Sequence, residues 1–169
     1  MTVDELKTAY EAIASDMIGR VLSGVVYVGM EDSEFESELG HEIDFGVDLM
    51  MSDGEVFGFI WPTTTPYRLD IIRKSIAGEV LASRTWDMSH AAEWKALIGR
   101  TIRSATVGWA SYQQRDEAAI LFPQDLELRF EGSCTVWLTT LETDNIYAVF
   151  DRDIARLHKL GSFATVDMA

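Results

Sequence analysis

The chain has 169 residues, of which 47% are hydrophobic and 25% charged, a globular composition that excludes a disordered, collagenous or low-complexity protein. Lys and Arg number 14 against 28 Asp and Glu, a net charge of −14. This excludes nucleic acid and anionic membrane surfaces as partners, because both are held by clustered Lys and Arg; cations and basic proteins suit such a surface instead.

Cys134 is the only cysteine, so no intrachain disulfide forms and a reducing compartment is expected. Residues 1–5 lack a basic region followed by an apolar core, and no apolar run approaches the ~18 residues of a membrane span. The expected location is the cytoplasm.

In chain order, the first element is a helix over residues 3–17. Thr2 and Glu5 have capping-box spacing, and Leu6, Ala9, Tyr10, Ile13 and Met17 recur at three- and four-residue steps. Gly19 stands where the helix should stop. A strand is expected from Val21 to Val28. Val47, Leu49 and Met51 then alternate with polar neighbours, Ser52-Asp53-Gly54 turns, and Phe57, Phe59 and Trp61 resume the alternation. Leu69 to Ile72 closes this group.

The second half repeats the order. A helix is expected over 90–98, capped by Ser89, with Ala91, Trp94, Leu97 and Ile98 as its stripe and Gly99 after it. A strand from Thr101 to Tyr112 follows. A hairpin then pairs Leu126, Leu128 and Phe130 with Cys134, Val136 and Leu138 around Glu131-Gly132-Ser133, and Ile146 to Phe150 forms a last strand. A final helix is capped by Asp151, carries Ile154, Leu157 and Leu160, and stops at Gly161. Met17-Ile18-Gly19-Arg20-Val21-Leu22 aligns with Leu97-Ile98-Gly99-Arg100-Thr101-Ile102 at a shift of 80. The expected fold class is therefore α+β, with two similar helix-strand-hairpin-strand units, 1–80 and 81–169, related by internal duplication. They form mainly antiparallel sheet with flanking helices in one globular body.

The units differ most between first strand and hairpin, at residues 29–45 and 113–124. The later connection carries Arg115, Asp116 and Glu117, then an apolar run to Pro123. The earlier one is acidic. Residues 31–48 hold eight acids and no Lys or Arg: Glu31, Asp32, Glu34, Glu36, Glu38, Glu42, Asp44 and Asp48. Over residues 34–39 an alternating strand places three carboxylates on one side and Phe35 and Leu39 on the other.

No motif announces chemistry. Phosphate-binding glycine loops and a nucleophile elbow are absent, and Ser52-Asp53-Gly54-Glu55 reads as a turn rather than a calcium loop. His41, His90 and His158 are scattered. Glu38-x-x-His41 has a metal-like spacing, but one copy beside Gly40 does not make a di-metal site. Cys134 falls in the inward register of its strand, and one thiol with three scattered histidines makes no zinc site. No metal or cofactor is expected. Most of the five tryptophans, Trp61, Trp86, Trp94, Trp109 and Trp137, read as core anchors, with Trp86, in a connecting stretch, the one expected to be partly exposed.

Two functional expectations follow. The first is a non-enzymatic binding protein, of the kind represented by immunity proteins that neutralise a basic toxin, with Glu31, Asp32, Glu34, Glu36, Glu38, Glu42 and Asp44 meeting the partner. The second is a small-molecule or catalytic domain with an aromatic pocket between the two units, lined by Trp86, Trp109, Tyr112 and Trp137.

Overall fold

The computed structural model describes residues 2–61, 68–77, 84–112, 119–140 and 145–157. The fold is α+β, with mostly antiparallel sheets and few helices. Helix α1 spans Val3–Met17. It is followed by β1 (Leu22–Gly29), β2 (Glu36–Ser37), β3 (Gly40–Ile43), β4 (Gly46–Met51), β5 (Val56–Ile60), β6 (Asp70–Ile72) and β7 (Arg84–Asp87). The one-turn helix α2 (Ala92–Lys95) leads to β8 (Ile102–Tyr112), β9 (Ile120–Phe130), β10 (Cys134–Thr139), β11 (Ile146–Val149) and α3 (Arg152–Leu157). Among the described residues no helix is long and apolar enough to cross a membrane.

The strands form a five-stranded sheet in the order β6-β5-β4-β1-β7 and a six-stranded sheet in the order β2-β3-β11-β10-β9-β8. Both hairpins form in the expected register, with Leu49 opposite Phe57 and Leu128 opposite Val136. Their alternating apolar residues meet in one core. Leu22, Val25, Val47, Leu49, Phe57 and Phe59 from the first sheet pack with Leu126, Leu128, Val136, Leu138 and Ile146 from the second. A smaller cluster lies on the opposite side of β10 and β11, where Trp137, Tyr147 and Val149 pack with Ala155 of α3, Ile154 and Leu39.

The aligned Ile-Gly-Arg segments touch each other. Gly19 N–H donates to Ile102 O at 2.9 Å, and Gly99 N–H to Leu22 O at 2.7 Å. Leu22 N–H donates to Arg100 O at 3.1 Å, and Ile102 N–H to Arg20 O at 2.9 Å. Each bond has its counterpart under exchange of the two segments. Both glycines lie at positive φ, +86° and +80°, where a Cβ is disfavoured. Each arginine turns back on its own helical segment, Arg20 Nε to Asp16 O and Arg100 Nε to Ala96 O, both at 2.6 Å. Matching register shifts follow at Leu22/Gly24 and Ile102/Ser104.

Three sequence expectations need correction. The helix expected over 90–98 is a single turn, because Leu97 N–H turns back to Trp94 O and Gly99 N–H is taken by Leu22 O. Its N-cap is Ala91; Ser89 instead accepts from Val25 N–H at 3.0 Å. The strand expected over 34–39 is paired only at Glu36–Ser37. Helices α1 and α3 keep their expected caps, with a complete capping box at Thr2 and Glu5 and Asp151 Oδ1 accepting from the Asp153 and Ile154 N–H groups. Leu160, Gly161, His158 and the Arg115–Glu117 stretch lie outside the described residues.

The two halves also exchange strands. β3, from the first half, pairs with β11 of the second sheet; β7, from the second half, pairs with β1 of the first. Gly40 allows the first exchange. It adopts φ +138°, and a Cβ there would stand 2.3 Å from Ala148 O. Only a residue without a side chain admits that approach.

Candidate functional site

The acidic segment forms a short hairpin on the edge of the six-stranded sheet. Glu36 pairs with His41 and Ser37 with Gly40. Ser37 Oγ closes the turn by donating to Gly40 O at 2.9 Å and accepting from Leu39 N–H. The turn separates the two apolar residues that a continuous strand would have put on one side. Phe35 packs edge-on against Tyr27 and Trp86, with ring centroids 5.1 Å away in each case, whereas Leu39 joins the smaller cluster beneath α3. Glu31, Asp32, Glu34, Glu36 and Glu38 are exposed. Glu31 meets Arg84 at 2.6 Å; no other ion pair to Lys or Arg is made by these five among the described residues.

The last two of the seven nominated acids are half-buried and hold structure. Glu42 accepts from Asn145 Nδ2 at 2.5 Å. Asp44 accepts from Ser33 Oγ and Met30 N–H, closing the 30–33 turn. Asp48, at the end of the acid-rich run, is buried and accepts from Ser75 Oγ at 2.5 Å and Ile76 N–H at 2.9 Å. A carboxylate holding two donors is a loop clamp, not a docking group.

Behind the hairpin lies a buried polar chain that sequence spacing did not reveal. Trp94 Nε1 donates to Tyr27 Oη at 2.5 Å. Tyr27 Oη lies 2.7 Å from His41 Nδ1, and His41 Nε2 lies 3.4 Å from Glu93 Oε2. The indole N–H can only donate. The phenol therefore turns its own proton to Nδ1, and the imidazole carries its proton on Nε2, toward Glu93. Burial is the largest influence on His41 and holds it below the ordinary histidine value, against the opposite pull of Glu93 and Glu36. Burial likewise pushes the Tyr27 phenol far above its usual range. Carboxylate, imidazole and hydroxyl in sequence have the order of a nucleophile with its base and orienter. Tyr27 has 0% exposure, however, so no substrate reaches the hydroxyl. Both ring nitrogens of His41 are engaged within the chain, and Glu38 is not among their partners, so the Glu38-x-x-His41 spacing does not make a ligand pair.

Of the four aromatic residues nominated for a pocket, the three tryptophans pack in separate places. Trp86 packs on Phe35, Trp109 lies edge-on to Tyr10 at 6.1 Å, and Trp137 is in the smaller cluster, its Nε1 donating to Glu127 at 3.1 Å. Tyr112 pairs by its backbone with Ile120; its side chain lies outside the described residues. An open groove of about 780 Å³ runs past α2 and the β9–β10 turn, with Glu93, Arg103, Arg129, Cys134, Trp137 and Phe150 along it. Two of its arginines are paired, Arg103 with Glu131 and Arg129 with Glu127. Cys134 sits on this groove, half-buried, its Sγ 3.7 Å from Gly132 O.

One further acid stands out by burial. Asp125 on β9 is 4% exposed. It faces Thr139 across one strand pair and Gly108 across the other. Asp125 Oδ2 and Thr139 Oγ1 have no hydrogen-bond partner among the described residues. Burial first, and the nearby Glu127 charge second, push the Asp125 carboxyl up to about 7. Among the described residues no three His, Cys, Asp or Glu side chains are grouped to hold a metal ion. No protein-family model matches the sequence, and neither a curated protein nor a solved structure matches the chain.

Proposed function

We propose that this is a non-enzymatic binding protein of the cytoplasm that meets a basic protein partner through the acidic hairpin, as an immunity-type inhibitor of a cationic toxin would. One observation carries the reading. Of five exposed carboxylates, Glu36 and Glu38 lie on a turn fixed at both ends, by Phe35 packed on the main core and Leu39 on the smaller cluster. Glu31, Asp32 and Glu34 lead into it beside the 30–33 turn that Asp44 holds, and among the described residues Glu31 alone of the five meets an arginine. A charge array fixed in place steers an oppositely charged partner and rejects wrong ones. The partner-facing set narrows to Glu31, Asp32, Glu34, Glu36 and Glu38. Glu42 and Asp44 act by holding the segment. The reciprocal bonds between the two Ile-Gly-Arg segments support an origin of the fold by duplication, after which the hairpin was elaborated in the first half.

The test is kinetic. A partner captured from native lysate and eluted by salt is offered to the wild type and to a variant carrying Asp32→Asn with Glu34, Glu36 and Glu38 changed to Gln. The association rate falls on the order of tenfold at low salt, and the two proteins converge at high salt. Equal rates at every salt concentration would remove the proposal. The same carboxylates line a sheet edge, where charge also deters pairing between copies. A variant that dimerises while keeping its association rate would assign them to that role alone.

A further inference from the structure

We propose that His41 is a proton-operated latch for the acidic hairpin: the neutral ring ties β2–β3 to both sheets, and a second ring proton releases the hairpin from β11. The argument is geometric. His41 sits where β1, β3, β11 and α2 converge. Tyr27 of β1 meets its Nδ1, Glu93 of α2 faces its Nε2, Ala148 of β11 pairs with its backbone, and Phe150 covers its ring at a centroid distance of 5.3 Å.

Every hydrogen in the chain has one place to go. Trp94 gives its proton to Tyr27, Tyr27 to Nδ1, and Nε2–H points to Glu93. A second proton on the imidazole must occupy Nδ1, which is the acceptor for Tyr27. The phenol oxygen would then face two donors, the indole and the ring, and its own hydrogen would be left without an acceptor at a fully buried site. The neutral Nδ1–H tautomer is disfavoured in the same way, since it strands the phenol hydrogen and sets a bare Nε2 against the Glu93 carboxylate.

The charged and titratable groups around the ring act in opposite directions. Glu93 on α2 and Glu36, opposite His41 on β2, favour the imidazolium. Tyr27 on β1 and burial oppose it, and Ala148 of β11 and Phe150 just after it meet the ring side with apolar groups, Tyr147 lying in the cluster on the other side of the sheet. Glu93 is 47% exposed, so its pull is weakened by water. Released from β11, the ring meets solvent and regains an ordinary pKa near 6.5. Opening is therefore linked to proton uptake below that value, by at most tenfold per pH unit for one site. That such opening would scatter the carboxylates and weaken a basic partner's hold rests on the function proposed above; the latch itself does not.

Two intramolecular measurements test it, so their outcome does not depend on whether a partner exists. Long-range ¹⁵N–¹H spectra of the imidazole should show the Nε2–H tautomer at neutral pH. Amide exchange of residues 40–43, corrected for its intrinsic pH dependence, should lose protection below about pH 6.5 with a slope no steeper than one proton allows. In His41→Gln, whose amide oxygen can accept from the phenol but does not titrate, the loss should vanish. If that variant does not fold, Tyr27→Phe removes the hydrogen that blocks Nδ1, the ring can then take its second proton in place, and the loss should shrink. An Nδ1–H tautomer in the wild type overturns the latch. So does protection that is flat on acidification, a slope that survives in His41→Gln, or an undiminished loss in Tyr27→Phe.

Discussion

Replacing Asp125 by Asn should change the pH profile of stability in a way that no surface acid would. The carboxyl is pushed up to about 7 from an ordinary 3.8. The folded chain therefore binds a proton here that the unfolded chain has already released. A raised carboxyl stabilises the fold below its unfolded pKa, and that contribution is lost as pH rises through the folded value. From pH 5 the loss follows nearly the full one-proton slope of about 1.4 kcal/mol per pH unit, halves in slope at the folded value and levels off above it, for about 3 kcal/mol in all by pH 8. This is a large share of the ~5–15 kcal/mol that holds a domain together.

Protonated Asp125 can donate toward Thr139 across the strand pair. An asparagine offers an N–H in the same place but does not titrate. Asp125→Asn should therefore lie level with or slightly below the wild type at pH 5 and gain about 3 kcal/mol on it by pH 8. Urea denaturation followed by tryptophan fluorescence at pH 5, 6, 7 and 8 reads the difference directly. Other titrating groups, His41 among them, act on both proteins alike and cancel in the comparison. Parallel stability curves would refute the reasoning: they would mean that Asp125 is ionised and solvated in the fold.

Two further substitutions probe the hairpin. Gly40→Ala places a methyl group 2.3 Å from Ala148 O at a φ of +138°; it should cost at least 1–2 kcal/mol, lower the melting temperature, and expose the amides of residues 40–43 at neutral pH. Glu31→Gln breaks a pair whose side chains are 60% and 75% exposed. Chemical denaturation should find less than about 1 kcal/mol of change, because the hairpin is held by apolar anchors and backbone pairing.

What the sequence revealed and what it hid divide along a physical line. Period-two alternation placed Leu49, Phe57, Leu128 and Val136 facing inward, because a buried sheet face leaves its mark on every second residue. Capping residues located the start of α1 and of α3. The glycines after the helical segments were also legible, since positive φ has a residue preference of its own. Strand exchange was not legible: β3 is four residues long, and nothing in Gly40-His41-Glu42-Ile43 states which sheet edge will receive it. The Trp94–Tyr27–His41–Glu93 chain was hidden for the same reason. Its members come from three elements separated by up to 67 positions, and each alone reads as a core aromatic or an ordinary polar residue. Sequence proximity of Glu38 and His41 pointed instead to a pair the fold does not make. The tryptophans show the converse error: common chemistry suggested a shared pocket, while burial dispersed them over different faces.

The anchoring of the hairpin bears on whether its charge serves only solubility. A solvated acidic loop needs no fixed course, and self-repulsion among five neighbouring carboxylates favours a mobile one. Here the chain instead inserts Phe35 between Tyr27 and Trp86, turns within a few residues, and seats Leu39 on the opposite side of the second sheet. A half-buried aromatic or leucine contributes on the order of 1–2 kcal/mol, which offsets the ordering of the short segment between them. Solubility alone would be served as well by the same acids with both anchors removed. A Phe35→Ser, Leu39→Ser variant keeps every charge and loses only their placement. The binding proposal therefore requires placement as well as charge, and it is this requirement that links the carboxylates outside the hairpin to the hydrogen-bonded chain behind it.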